Sequence, residues 1–309
     1  MISSKFQMKI IKGDSLKCCF DHQSLLYDSD EFHKIHHHKT EDIFRVIVYD
    51  KIPLISIVIG LKKENYFSPY SSPFTTIKYN PEINEQQFSE AIDFLIKNLK
   101  LNNLTITIAP KFYFKKFHEI LVSKLNQNCT KCVIDFNNHF ELQGFELKKY
   151  LKSRSNRNYI KAKNKGLKFL YKIEDVSLKE SYSIIKKNRD ENGYPLKMNL
   201  DDIKKITLIT DVKWFAIEDN QNNKIAAAIC FLVEKDIYQI IYWGDIKKYR
   251  FLRPMDFLAA EILNFFNNQG IGFVDIGPSS SNGIPDNGLL SFKKRLGCKT
   301  TSKFTFKFH

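Results

Sequence analysis

Short apolar runs rich in β-branched residues alternate along this chain with longer stretches of helical period. In the first half, "FRVIVYD" and "PLISIVIGL" predict two strands joined as a hairpin around Lys51 and Ile52. From about Asn84 to Lys100, Phe88, Ile92, Leu95, Ile96 and Leu99 share one helical face. A strand in "LTITIAP", a helix through Phe117, Ile120, Leu121 and Leu125, and a strand in "CVIDF" complete that half.

The second half repeats the order of elements without repeating the residues. "KWFAIED", the turn "NQNN" and "KIAAAICFLV" predict a hairpin, and "IYQIIYWGD" a third strand. Pro254 suits the first turn of a helix whose stripe is Met255, Leu258, Ile262 and Phe265, and Gly270 closes it. "FVDIG", a short helix and "TSKFTFKF", with Phe304, Phe306 and Phe308 on one face, follow. The duplication predicts two α/β modules, each a mixed sheet flanked by helices, over residues 1–145 and 146–309. A chain of 309 residues exceeds the usual span of one core, which agrees with that division.

Charge changes the picture more than composition does. Lys and Arg number 48 against 34 Asp and Glu, a formal net charge of +14, which favours phosphate-bearing partners. Residues 147–172, "LKKYLKSRSNRNYIKAKNKGLKFLYK", concentrate it. Their basic residues, Arg154, Arg157 and Lys161 among them, spread round a helix anchored by Leu147, Leu151, Tyr159 and Ile160. They read either as a solvated face or as a phosphate-docking helix beside a cleft between modules. The opening "MISSKFQMKIIKGDS" lacks a secretory apolar core, and no apolar run is long enough to span a bilayer. With no disulfide pattern among Cys18, Cys19, Cys129, Cys132, Cys230 and Cys298, the expected compartment is the cytoplasm.

Candidate chemistry gathers in residues 275–297, "DIGPSSSNGIPDNGLLSFKKRLG". Asp286 or Asn287 can cap a helix that Gly297 ends, with Leu289, Phe292 and Leu296 as its stripe. Lys293 falls beside that stripe, where spacing alone predicts a lysine snorkelling from the core edge to water.

The order of elements, together with "SRSNRNYIKAKNKGLKF", "NRDENGYPL", "YWGDIKKYRFLRPMDFLAAEI", "FVDIGPSSSNG" and "NGLLSFKKRLG", resembles the GNAT acyltransferase fold in its tandem, FemABX-like form. These words cover roughly residues 140–308; the first half matches in architecture only. The resemblance implies transfer of an acyl or aminoacyl group from an activated donor to an amine or hydroxyl. It further implies a splayed pair of central strands where a backbone N–H steadies the oxyanion, with "IYQIIYWGD" as the candidate strand. It places Lys293 near the reacting carbonyl, as a cation facing the tetrahedral intermediate. The glycine-rich phosphate turn usual in coenzyme A-binding members is missing from "KKYRFLRPMD"; Arg250 and Arg253 would have to meet phosphate with their side chains. Acyl-CoA and aminoacyl-tRNA therefore both stand as donor substrates, with no tightly bound cofactor expected.

Other residues carry two readings each. Asp245, which ends one strand, and Asp275, which lies in the neighbouring one, are candidate bases for the amine, or else a turn cap and a loop holder. Tyr242 is a candidate proton donor or a packing residue, and Ser279, Ser280, Ser281 and Asn282 line the loop or simply make the turn. Tyr194, before a proline, is expected to be extended, and either faces the acceptor or packs on the core as a loop aromatic. "HKIHHH", residues 33–38, reads as a solvated loop with no metal site, and Cys129 with Cys132 as a lone C-x-x-C. The expected function is an N-acyl or aminoacyl transferase acting on a cell-envelope precursor or sugar. Its expected partners are a phosphate-bearing donor or carrier, tRNA included, with peripheral membrane contact compatible with the charge. The competing readings are a non-enzymatic nucleic-acid-binding protein using residues 147–172, and a degenerate transferase fold kept as a scaffold.

Overall fold

The computed structural model describes residues 5–13, 20, 25–99, 101 and 103–309; Cys18, Cys19 and Lys100 lie outside them. The elements up to the chain midpoint are β1 (Gln7–Lys12), α1 (Asp30–His36), β2 (Asp42–Asp50), β3 (Ile52–Lys62), β4 (Asn65–Ser68), β5 (Lys78–Tyr79), α2 (Glu85–Asn98), β6 (Leu104–Thr107), α3 (His118–Asn128), β7 (Lys131–Glu141), α4 (Leu147–Tyr150) and α5 (Ser153–Asn164). There follow β8 (Lys168–Leu170), α6 (Leu178–Asn192), α7 (Leu200–Ile206), β9 (Val212–Glu218), β10 (Lys224–Glu234), β11 (Ile237–Asp245), α8 (Pro254–Asn268), β12 (Phe273–Pro278), β13 (Ser280–Ser281), β14 (Ile284–Pro285), α9 (Asn287–Leu296) and β15 (Lys299–Phe308).

Two compact units result, one of Met1–Asp135 with Ser302–His309, the other of Phe136–Thr301. The last residues, read above as the closing strand of the second half, group with the first unit. There β15 pairs antiparallel with β6, from Thr305↔Thr107 to Phe308↔Leu104, and Phe306 is fully buried in that unit's core.

In the first unit the strand order is β1-β2-β3-β4-β6-β15, and each pair along it is antiparallel except β4 with β6. A parallel pair needs a crossover, and α2 lies in the connection that supplies it. Asn84 and Gln87 form a reciprocal capping box at the start of α2, whose Phe88, Ala91, Ile92 and Leu95 are buried. Phe88 stacks on Phe117 with ring centroids 4.3 Å apart.

The histidine run is not a solvated loop. Ser29 caps α1, and the helix carries His33 and His36 into the interior, where His33 Nδ1 lies 3.1 Å from the Tyr70 hydroxyl. Burial, then the nearby Arg45, Lys78 and His36, push His33 down to about 3.

The second unit orders its strands β8-β9-β10-β11-β12-β7, again antiparallel except for one parallel pair, β11 with β12, joined through α8. The buried face of α8 is wider than its expected stripe: Phe257, Leu258, Ile262, Leu263 and Phe266 are buried, while Met255 and Phe265 are only partly so. The reason is that α8 lies between the sheet and α5 and must serve both. Helix α5 docks through Ala162 and through Tyr159, which stacks on Phe257 at 5.5 Å and donates to Glu261 at 2.8 Å. Ile160, an expected anchor, is 48% exposed instead.

The depressed His33 pKa generates a pH prediction. Above pH 6.5 this ring is neutral in the folded and unfolded chain alike. Below that, the unfolded chain takes up a proton that the folded chain refuses until about 3, so stability is progressively lost across that window. His33→Gln, which still offers Tyr70 a partner, should flatten the pH dependence of the urea midpoint there; an unchanged slope would contradict the assignment.

Candidate active site

The parallel ladder between β11 and β12 is short. It runs from Ile237↔Phe273 to Gln239↔Asp275 and stops, although β11 continues to Asp245 and β12 to Pro278. On its other edge β11 stays paired with β10, but the register slips from Cys230↔Ile240 to Ile229↔Tyr242, leaving Ile241 unmatched. Such a bulge bends its strand, and here β11 and β12 part beyond it. A cleft of about 1190 Å³ lies at the parted ends, lined by Trp243 to Asp245 on one side and Pro278 to Asn282 on the other.

A buried polar network fixes the β12 side. Asp275 is fully buried and accepts from Asn137 Nδ2 at 2.9 Å, Gln239 Nε2 at 2.7 Å and the Gly277 amide at 2.8 Å. Lys293, 2% exposed, donates from Nζ to the carbonyls of Ile276, Gly277 and Pro278 at 2.6, 2.8 and 2.9 Å. A buried ammonium is costly unless its donors are met, and three successive carbonyls meet them. Gly277, at φ +72°, adopts the left-handed conformation that the arrangement requires. Asn138 Nδ2 reaches Ser279 Oγ at 2.6 Å, while Ser280 Oγ accepts the Phe136 amide at 2.8 Å. Beyond them Asn282 and Gly283, both at positive φ, turn a tight hairpin between β13 and β14.

The opposite wall belongs to β11 and α6. Asp245, buried at the strand end, receives Arg250 Nε at 3.1 and 3.3 Å and Asn188 Nδ2 at 3.4 Å; the same Nδ2 donates to the Asp245 carbonyl at 2.7 Å. This approach needs Gly244, since a Cβ there would lie 2.4 Å from Asn188 Cγ. Tyr242 accepts the Met198 amide on its hydroxyl at 3.1 Å, and burial raises its pKa. The Arg189 guanidinium, which also lines the cleft, stands 5.7 Å from the Tyr242 ring centroid.

Of the residues singled out in the sequence, Tyr194, Asp245, Arg250, Ser279, Ser280, Ser281 and Asn282 line this one cleft. Tyr194, 56% exposed, stands at its mouth. Lys293 neither snorkels nor presents its ammonium to the cleft, because the strand-end carbonyls hold it in the interior. Asp275 lies beneath the cleft with its oxygens committed, and the Tyr242 hydroxyl is committed to the segment at Met198. Arg253 is exposed at the start of α8, and Arg154, Arg157 and Lys161 point to solvent from α5; none of the four lines the cleft. Asn188, Arg189, Trp243 and Gly244 were not foreseen. A glycine inside an apolar strand is the signal that could have found Gly244, since it marks a close approach of another group.

Two substitutions follow from this geometry. Gly244→Ala should expel Asn188 from beside Asp245 and destabilise the fold by about 1–3 kcal/mol, read by thermal denaturation. Lys293→Met should strand the three carbonyls that the ammonium meets, that of Ile276 buried, and cost about 2 kcal/mol, with the Pro278–Asn282 segment losing amide-exchange protection. Wild-type protection in that variant would show that Lys293 does not organise the loop.

No family model and no curated protein sequence matches the chain. Solved structures do. The crystal structure of FemX aligns with a TM-score of 0.62 at 11% identity, covering 91% of this chain and 91% of that one. The C-terminal domain of a protein assigned as lysylphosphatidylglycerol synthetase from Agrobacterium fabrum aligns at 0.58 and 13% identity, over 82% of this chain and 81% of that one. A tandem GNAT protein from the clavulanic acid biosynthesis pathway aligns at 0.53 and 7% identity, over 97% and 98%. At such identities the likeness speaks for architecture, and it agrees with two units of mostly antiparallel strands, each holding one parallel strand pair. The chain thus has the tandem GNAT fold, in the form that the FemX structure also shows.

Proposed function

We propose that the chain moves an acyl or aminoacyl group from an activated donor, acyl-CoA or aminoacyl-tRNA, to an amino group of a cell-envelope precursor or sugar. The observation that carries this reading is the parting of β11 from β12 into a cleft whose walls bring Asp245, Arg250 and Arg189 together. Where a ladder ends, the strand edge turns its backbone amides toward the opening. Amides so fixed are suited to a developing oxyanion, since they need no reorganisation as charge appears.

The acceptor amine attacks the donor carbonyl carbon. A C–N bond forms, the C–S bond of a thioester or the C–O bond of an ester breaks, and the amine proton passes by way of Asp245 to the departing sulfur or oxygen, which leaves as the thiol or hydroxyl. Arg250 and Arg189 offer guanidinium forks to a phosphate of the donor or carrier, with Arg253 at the start of α8 three residues after Arg250. Lys293 and Asp275 act through the loop, as positioning residues. On α5, Arg154, Arg157 and Lys161 stand where they can meet only a donor that extends past the cleft, as tRNA would. The clavulanic acid pathway protein and the lysylphosphatidylglycerol synthetase, by their names, fall in the same broad chemistry.

The test is transfer from acetyl-CoA, read as free thiol, and from aminoacyl-tRNA, read as deacylation, each with amino sugars as acceptors. Asp245→Asn should slow turnover about 100-fold with little change in KM. A folded wild-type chain inert toward both donors, or an Asn variant as fast as wild type, would remove the reading.

A further inference from the structure

Phe251 is placed in a way that packing does not explain. It belongs to a 3-10 turn, Lys247–Leu252, between β11 and α8. Tyr249 and Leu252 of that turn pack against the apolar core, whereas Phe251 is 62% exposed. Lys165 Nζ stands 5.1 Å from its ring centroid. Arg250, the residue before it, lines the cleft; Arg253, two residues on, is exposed. No carboxylate occurs in residues 246–255, and the next one, Asp256, turns inward to accept Asn158 at 3.1 Å. A single aromatic face in a cationic setting is the recurring means of holding a base and its phosphates, because stacking tolerates any base and the cations track the backbone. It does not suit insertion into a bilayer, which takes a continuous apolar face.

We propose that Phe251 is a stacking platform for the base of an adenosine phosphate carried by the donor, with Arg250 and Arg253 meeting its phosphates. This rests on the transferase reading and narrows it. Both donor classes contain an adenosine bearing phosphate, in coenzyme A itself and at the acceptor end of tRNA. The missing glycine turn fits such a site: where backbone amides do not cradle a pyrophosphate, side chains and a stacked base can supply the grip.

The experiment measures binding of the full chain to four probes: desulfo-coenzyme A, an RNA hairpin ending in CCA, phosphopantetheine, which has no base, and anionic phospholipid vesicles. Phe251→Leu should weaken one of the first two about tenfold and leave phosphopantetheine unchanged. Phe251→Trp should restore binding, and the melting temperature should not move because the ring is exposed. The probe that responds identifies the source of the adenosine. If wild type binds and Phe251→Leu binds equally well, or if phosphopantetheine weakens in parallel, the platform is refuted while the donor cleft stands. Wild type that binds neither nucleotide probe overturns the platform and the transferase reading together. A Phe251→Leu effect confined to anionic vesicles would make the residue a membrane contact and refute it as well.

Discussion

The arrangement of the second unit depends on a hydrogen-bond ladder that stops. Strands β11 and β12 hold together through Gln239↔Asp275 and then diverge, although each has further residues in extended conformation. An opening between strands in the middle of a sheet exposes backbone polar groups, and such groups are costly unless something else meets them. Here the β12 side is met by Lys293, whose ammonium takes the carbonyls of three consecutive residues, and by Asp275, which takes the Gly277 amide. Removing either would let the strand ends close or the loop wander. The cleft is therefore a property of buried charge as much as of strand direction.

The same logic separates residues that shape the cleft from residues that face it. Lys293 and Asp275 are both nearly inaccessible: Lys293 spends its donors on the segment that forms one wall, and Asp275 ties that segment, through the Gly277 amide, to Asn137 of β7 and Gln239 of β11. Asp245 is different: it is buried yet lines the cleft, with Arg250 and Asn188 on one side of its carboxylate. An ionised carboxylate has about four acceptor positions, and these partners do not exhaust them. Gly244 belongs to this wall for a negative reason, since any side chain there would occupy the place of Asn188.

The excess positive charge is distributed to match. Helix α5 docks on α8 through Tyr159 and Ala162, and through Asn158, which donates to Asp256, so its arginines and lysines are left outward. The turn before α8 adds Lys247, Lys248, Arg250 and Arg253 without an intervening acid. A field of this sign raises the local concentration of phosphate-bearing ligands and speeds their encounter, an effect that weakens as salt rises.

Sequence by itself determined the main strands and most of the helices that flank them, with their order, though not β1, α1, α6 or α7. The hairpin at Lys51, the cap at Asn84, Pro254 at the start of α8 and Asp286 with Gly297 at the two ends of α9 are local choices, set by neighbours within a few residues. It also drew attention to most of one cleft wall, because the polar loop after β12 and the charges after β11 stand out against apolar strands. What only tertiary structure decided is where long-range pairing puts each group. Spacing placed Lys293 at the edge of an apolar stripe and so toward water; the carbonyls that hold it inside lie 15 to 17 residues away and adopt their positions only once β12 has left β11. The last strand reads like part of the second half, yet its partner β6 lies far back in the chain. Helical periodicity likewise cannot show that α8 is covered on two sides, nor that Ile160 is left outside. Local pattern fixes which face of an element is apolar. Which element comes to cover that face is decided by contacts between residues remote in sequence.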